Sequence, residues 1–140
     1  AVNLANAGRG TQALIPIVTL IKAAELGLID GDLFVIEEPE AHLHPSAHTA
    51  VAELLAEAAG SRQLVVETHS ENLILRLRRK VALGEIGHDL VGLKWVDDEN
   101  TIRPATITSD GGVEDWPAGV FEYDVEEARD ILRARLRGLM

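Results

Sequence analysis

Residues 33–45 read Leu-Phe-Val-Ile-Glu-Glu-Pro-Glu-Ala-His-Leu-His-Pro. The continuous apolar run over 33–36 predicts a strand that is buried on both faces, as in a parallel sheet. Two adjacent carboxylates, Glu37 and Glu38, stand at its carboxyl end. A strand end relaxes the alternation of side chains, so one acid can face a metal ion while its neighbour reaches a water molecule. The stretch therefore predicts a buried strand that delivers two acids to the edge of a sheet.

The remainder of the chain alternates helices with strands. A second short apolar run, 64–66, is expected to be a buried strand, and Ser70 behind it can N-cap a helix. The predicted elements are, in order, helix 11–26, strand 33–36, helix 46–59 opened by Pro45, strand 64–66, a helix after Ser70, a hairpin over 91–96 and 101–107, and a last helix over 125–137. This order predicts an α/β fold whose two parallel strands and C-terminal hairpin share one thin sheet between flanking helices.

Local signals support several of these elements. The residues Asp97-Asp98-Glu99-Asn100 supply an acidic turn for the hairpin, and Asp124 with Glu127 forms a capping box for the last helix. Pro16 should bend the first helix slightly. The helix after Ser70 carries one apolar stripe, made of Leu73, Ile74, Leu77 and Val81. Trp116 and Phe121 are expected to pack the acidic loop 110–120 onto the body of the protein.

Composition narrows the possible functions. The 140 residues carry 23 Asp and Glu against 13 Lys and Arg, for a formal net charge of −10, which argues against a broad phosphate-binding surface. Cysteine is absent from the sequence, so disulfides and cysteine metal sites are excluded. The longest apolar stretch, 13–21, is too short to span a bilayer. We therefore expect a cytoplasmic protein with no membrane partner.

The segment 36–45 resembles a known sequence pattern. It is similar to the Walker B and D-loop region of ABC-type ATPases, in the form I-E-E-P-E-x-H-L-H-P of the SMC-like and overcoming-lysogenisation-defect ATPases. The resemblance implies that Glu37 holds Mg²⁺ and that Glu38 is the general base for the attacking water. It also places His42 and His44 in a D-loop that crosses a dimer interface. Most of the superfamily has Asp at the position of Glu37, and many relatives have Asp at that of His44.

The second predicted strand ends in Glu67-Thr68-His69-Ser70, about thirty residues after the acid pair. This segment resembles the switch loop of ABC-type ATPases, in which a His at the end of the neighbouring strand contacts the γ-phosphate. A neutral imidazole can donate one hydrogen bond to phosphate and accept another from water. The resemblance therefore implies a catalytic role for His69. The alternative is a His that is satisfied by backbone groups at a strand end.

A glycine-containing segment precedes the first predicted helix. Glycines let the backbone approach an anion closely, and a helix N-terminus attracts phosphate. The segment resembles a degenerate ABC signature motif, which binds the nucleotide held by the other subunit of a dimer. The residues so implicated in nucleotide binding are Gly8, Arg9, Gly10, Thr11 and Gln12. As a bare pattern, Gly-x-Gly before a helix is often only a turn.

The histidines permit a second interpretation. Glu40, His42, His44 and His48 have a spacing that could provide three or four ligands for Zn²⁺. The rival hypothesis is thus a small metal-binding hydrolase. A further alternative concerns the basic run Arg76, Arg78, Arg79 and Lys80, which could contact DNA but is more often a solvated helix face near a C-terminus.

The resemblance covers nearly the whole chain but only the distal, C-terminal half of a P-loop ATPase head. Residues 1–108 are expected to form that half, and residues 109–140 an acidic loop and a helix packed on the same domain. The sequence contains no Gly-x-x-x-x-Gly-Lys followed by Ser or Thr. This Walker A loop supplies most of the phosphate cradle. We therefore expect the chain alone neither to bind ATP tightly nor to hydrolyse it.

The resemblance also implies partners and cofactors. ATP and Mg²⁺ would require an N-terminal half, from the same protein or from a second chain, and two heads would form a homodimer around the nucleotide. Relatives of the SMC-like group act on DNA in repair or phage defence, so DNA is a possible partner. Residues 114–121 resemble the tail of a bacterial AAA-type ATPase family with a C-terminal domain of unknown function. A non-catalytic interaction module is the remaining alternative.

Overall fold

The computed structural model describes residues 8–117 and residue 133. Two compact units divide the chain, the first ending at Arg79 and the second beginning at Lys80. The elements are α1 (Arg9–Glu25), β1 (Leu33–Glu37), α2 (Pro45–Ala59), β2 (Gln63–Glu67), α3 (Glu71–Ala82), a 3₁₀ turn (His88–Leu90), β3 (Gly92–Val96), β4 (Ile102–Ile107) and β5 (Val113–Glu114). This mixture of helices with parallel and antiparallel strands confirms the predicted α/β class.

The first unit is built around one parallel strand pair. Strands β1 and β2 pair in register, with Val35 opposite Val65 and Glu37 opposite Glu67. Helix α2 connects them, as a parallel connection requires. The core draws on all three helices and β1, and its buried members are Ile21, Ile36, Val51, Ala52, Leu55, Ala58 and Leu73. Burial of this apolar surface is the main source of stability in such a unit.

The expectation that the first strand is buried on both faces is wrong for the described part of the chain. Phe34 and Ile36 are buried, but Leu33 and Val35 on the opposite face remain 52% and 64% exposed. In β2, Val65 is also 50% exposed. An apolar run indicates that a strand can be covered on both faces, but the described residues of this unit cover only one. The outer face of β1 and β2 is thus an exposed apolar surface.

The hairpin lies in a separate sheet, which corrects the expected single thin sheet. Strands β3 and β4 pair antiparallel, and β5 adds to β4. The pairing of Val96 with Ile102 places the acidic turn where it was predicted. Strand β5 was not predicted, because two residues carry no readable periodicity. Ala105 and Ile107 are buried, and Trp116 is half-buried.

The helix boundaries were predicted with small errors. Helix α1 begins at Arg9 rather than Thr11, and Pro16 lies inside it. Pro45 opens α2, as expected. The Ser70 cap is confirmed, because the Leu73 amide donates to Ser70 Oγ at 3.2 Å. The predicted helix 125–137 and Phe121 lie outside the described residues, except for Arg133. Across residues 8–117, no helix combines the length and apolarity that a bilayer crossing needs.

The β3–β4 turn is organised by Asp97. Its Oδ1 accepts from the amides of Glu99 and Thr101 at 3.0 and 2.8 Å, and its Oδ2 accepts from Arg103 Nε at 2.8 Å. The Thr101 amide and the Arg103 side chain hold the pKa of Asp97 below its ordinary value. The turn thus favours the ionised carboxylate.

This lowered pKa predicts an acid-sensitive turn. A carboxyl whose pKa is depressed on folding stabilises the fold above its unfolded pKa, ordinarily 3.8, and loses that contribution as pH falls through the folded value. Asp97→Asn should therefore reduce the acid dependence of thermal unfolding in this unit, measured over a series of pH values. Asp98→Asn, in the same turn, is the matched control. Equal pH profiles for Asp97→Asn and the wild type would contradict the assignment.

Candidate active site

The carboxyl ends of β1 and β2 lie side by side. Glu37 is the last residue of β1 and stands opposite Glu67, the last residue of β2. The Glu38 amide donates to the Glu67 carbonyl at 2.9 Å, which extends the parallel ladder by one residue. The acid pair predicted from sequence therefore emerges at the same sheet edge as the segment that carries His69.

Glu38 and His69 converge beyond that edge. The distance from Glu38 Oε1 to His69 Nε2 is 3.6 Å, and both side chains are largely exposed. Glu38 has a φ of 42°, in the left-handed region that non-glycine residues seldom occupy. Such backbone strain is found preferentially at functional sites. The carboxylate and the imidazole thus lie together at the solvent-exposed surface.

A buried carboxylate joins the two loops that carry these groups. Glu40 is only 8% exposed. Its Oε1 accepts from Thr68 Oγ1 at 2.7 Å and from the His69 amide at 2.8 Å. The Ser70 amide in turn donates to Thr68 Oγ1 at 3.0 Å. The loop after β1 is therefore hydrogen-bonded directly to the loop after β2.

The histidines have partners other than a metal ion. His48 Nδ1 lies 2.7 Å from Ser70 Oγ, and its Nε2 lies 3.4 Å from the Leu43 carbonyl oxygen. His44 N-caps α2, where its Nδ1 accepts from the Ser46 amide at 3.3 Å. Within residues 8–117 and at 133, no three His, Cys, Asp or Glu side chains are grouped as metal ligands would be. The alternative of a metal site built on Glu40 and these histidines is therefore not supported.

The N-terminus of α1 lies against the loop after β1. Gly10 and its neighbours to Gln12 belong to the first helical turn, and Gly8 is the N-cap, so the segment begins the helix rather than forming a separate turn. A Cβ built at Gly10 would be 2.7 Å from both the His42 carbonyl oxygen and Leu43 Cδ2. Gly10 has no positive φ, so its backbone conformation does not require glycine. Glycine is needed here because the two segments approach each other closely. The structure thus brings the signature-like segment to the predicted D-loop.

An open cleft of about 690 Å³ adjoins these groups. One wall is apolar and comes from α1, including Pro16, Ile17 and Leu20. The opposite wall comes from the end of β1 and the loop behind it, with Glu37, Glu38, His42 and Glu67 at the rim. His42 has a φ of 63°, a second left-handed residue in this loop. The cleft therefore combines an apolar wall with acidic groups at its rim.

At least two of the four basic residues of the run on α3 form ion pairs with acidic side chains. Arg76 Nε donates to Glu53 Oε1, and Lys80 Nζ lies 3.0 Å from Glu85 Oε2. Surface pairs of this kind add little stability, but they neutralise positive charge that would otherwise attract the phosphates of nucleic acid. The run therefore gives weak support to direct DNA contact.

Sequence reasoning missed the structural role of Glu40 and Thr68. Glu40 was considered only as a metal ligand, and Thr68 only as context for His69. The sequence carries no local signal for this role, since the burial of Glu40 beside the fully buried Pro39 is seen only in the structure. A carboxylate that enters the interior beside such a residue needs hydrogen-bond donors.

Parallel strands that end in acids and are joined by a helix make the first unit part of an α/β protein. The chain belongs to the AAA ATPase domain family, whose model matches residues 1–74. No curated protein matches the chain.

A solved structure has a similar fold. It comes from work on the ATP-driven dimerization and DNA-stimulated activation of SMC ATPases, and it matches with a TM-score of 0.53 at 15% sequence identity. The match covers 90% of this chain and 64% of that one, so this chain spans less than two thirds of its structural neighbour. At this identity the likeness concerns the fold alone.

The close approach at Gly10 can be tested by substitution. Gly10→Ala should lower the free energy of unfolding by about 1–3 kcal/mol, because the added methyl group overlaps the His42 carbonyl and Leu43. Helix propensity alone would predict a gain of nearly 1 kcal/mol. Gly8→Ala is the control, since a Cβ there meets nothing within 4 Å. Gly8 is the N-cap, so this variant should lose only the capping preference of glycine over alanine, about 1 kcal/mol or less. Urea denaturation measures both variants, and a stabilised Gly10→Ala would contradict the packing argument.

Proposed function

We propose that this chain is the distal part of an ATP-hydrolysing head that dimerises around nucleotide. In this proposal Glu38 activates the attacking water, His69 contacts the γ-phosphate and Glu37 faces Mg²⁺. The observation that carries it is the 3.6 Å approach of Glu38 Oε1 to His69 Nε2 at the ends of paired parallel strands. A base for the attacking water and a donor to the γ-phosphate act on one terminal phosphate, so the two groups must emerge on the same side of the site.

The residues at the strand ends suit the cofactors of such a head. Mg²⁺ prefers oxygen ligands and is usually held by one or two carboxylates together with substrate phosphates and water. Glu37 offers one carboxylate at the rim of the cleft. When bound there, Mg²⁺ would supply charge neutralisation for the phosphates. The three acids of this rim, Glu37, Glu38 and Glu67, would repel a triphosphate without such cations.

The N-terminal turn of α1 is proposed to face the nucleotide held by a second head. Its exposed residues are Arg9, Thr11 and Gln12. Helix N-termini favour anions, and Arg9 adds a full positive charge. Because Gly10 packs on the His42 backbone, this turn and the D-loop would reach a partner head as one surface. In this proposal two such heads form a homodimer around the nucleotide.

The two-stranded sheet of β1 and β2 suggests where a further partner would bind. Among the described residues, β1 and β2 pair only with each other, so each has one free edge. The outer face exposes Leu33, Val35 and Val65. Large apolar exposure of this kind marks a surface that another element covers. We propose that the half carrying Walker A, from the same protein or a second chain, completes the sheet here.

In this proposal residues 1–108 are the distal half of the ATPase domain, and 109–140 add the acidic loop and last helix.

The process that hydrolysis drives is also a proposal. The SMC ATPases with the similar fold show DNA-stimulated activation, and we propose that DNA transactions such as repair or phage defence are the setting of this head. The net charge of −10 indicates that any DNA contact depends mainly on other parts of the assembly.

The general base can be tested in the ATPase assembled with its Walker A half. Glu38→Gln should lower turnover by about 100-fold or more, because a general base contributes roughly that factor. Nucleotide-dependent dimerisation should persist, since the amide keeps the size of the carboxyl group. Glu57→Gln, on the exposed face of α2, is the matched control. Unchanged turnover in Glu38→Gln would remove this residue from the mechanism.

The need for a second half predicts weak binding by the 140-residue chain alone. Calorimetric titration with MgATP should give a Kd weaker than about 1 mM, corresponding to less than about 4 kcal/mol of binding free energy. The assembled ATPase, titrated in the same buffer, is the positive control. Micromolar binding by the isolated chain would show that the phosphate cradle lies within these residues.

A further inference from the structure

The alignment of His69 with Glu38 needs a physical cause beyond strand pairing. The parallel ladder ends at the bond from the Glu38 amide to the Glu67 carbonyl. His69 lies two residues beyond that point, so the ladder does not determine its position. The His69 imidazole is 77% exposed, so side-chain packing contributes little to holding it. Its placement therefore depends on the hydrogen bonds of its backbone.

Glu40 supplies that hydrogen bond from the loop that carries Glu38. One oxygen, Oε1, accepts from both the His69 amide and Thr68 Oγ1. Its side chain is buried, and a buried carboxylate that holds two donors cannot exchange them for water without a cost. The residue two positions after the proposed base thereby holds the backbone of the proposed phosphate-contacting His.

We propose that Glu40 is a positioning residue that sets the spacing between Glu38 and His69. This inference rests on the proposed function of those two groups. It assigns the first acid after the Glu37–Glu38 pair to alignment, since Glu40 itself is buried and not exposed at the surface where Glu38 and His69 meet. The positioning of His69 depends on the length of the Glu40 side chain and on its one acceptor oxygen, Oε1.

The other carboxylate oxygen makes the proposal testable. Within the described chain, Glu40 Oε2 is buried and has no hydrogen-bond partner. Glu40→Gln keeps the length of the side chain and an acceptor oxygen for Thr68 and His69, and breaks no bond made by Oε2. Glu40→Asp keeps the charge but is one methylene shorter, so it cannot reach both donors from the same backbone. The two variants therefore separate reach from charge.

Steady-state ATPase measurements on the assembled enzyme provide the first readout. We expect Glu40→Gln to stay within about threefold of wild-type kcat, and Glu40→Asp to lose about tenfold or more with the KM for ATP nearly unchanged, because misplacement of catalytic groups lowers the rate more than binding. Glu57→Asp, the same substitution at an exposed position of α2, is the matched control. The reverse order, or equal losses in both Glu40 variants, would overturn the proposal.

Amide hydrogen exchange in the 140-residue chain provides a readout that is independent of activity. The His69 amide should stay protected in Glu40→Gln and exchange about tenfold faster in Glu40→Asp, while the Leu73 amide, which donates to Ser70 Oγ, stays protected in both. Uniform acceleration of both amides would indicate a general structural role and would overturn the proposal.

The two proposals can fail separately. If Glu38→Gln retains full turnover, the proposed function fails. If Glu38→Gln is inactive but Glu40→Asp matches wild type in both readouts, only the positioning role of Glu40 fails.

Discussion

The parallel register of β1 with β2 is the constraint on which the candidate site depends. Because Glu37 stands opposite Glu67, both chains leave the sheet at the same edge and at the same height. A shift of one residue would reverse the face of every side chain in a strand. Ile36, which lies in the core, would then be exposed, so the hydrophobic core enforces the register. The packing of α1, α2 and α3 on that face thereby fixes where the polar groups begin.

Beyond the strand ends, hydrogen bonds replace packing as the ordering force. Glu40 connects the two loops, and His48 adds a second connection through Ser70 Oγ and the Leu43 carbonyl. The left-handed conformations of Glu38 and His42 cost about 1–2 kcal/mol each and persist only where the surroundings hold them. The stability of the core and of these bonds thus offsets a strained loop. The strain is located at the residue whose carboxylate faces His69.

Local sequence patterns predicted the elements of the first unit but not their connections. The runs 33–36 and 64–66 indicated strands because apolar and β-branched residues cluster there, and Ser70 indicated a cap because its hydroxyl can reach the next turn. The link from Glu40 to Thr68 spans 28 residues, and no local period encodes such a contact. The prediction that the first strand is buried on both faces was wrong for a related reason. An apolar side chain such as Val35 indicates that a strand can be covered, but it does not indicate which residues cover it.

The electrostatics of the strand ends constrain what this site can do. Glu37, Glu38 and Glu67 put three carboxylates at one rim of the cleft, whereas Arg9 is on the first turn of α1. Carboxylates this close repel both one another and the oxygens of a phosphate chain. An arrangement of this kind suits a nucleotide only when cations arrive with it or from another polypeptide segment. In the proposed head, Mg²⁺ and a Walker A lysine fill that role, so the acids would act on a nucleotide that other groups hold. The exposed apolar face beside them is where such a segment would gain the burial energy needed to stay in place.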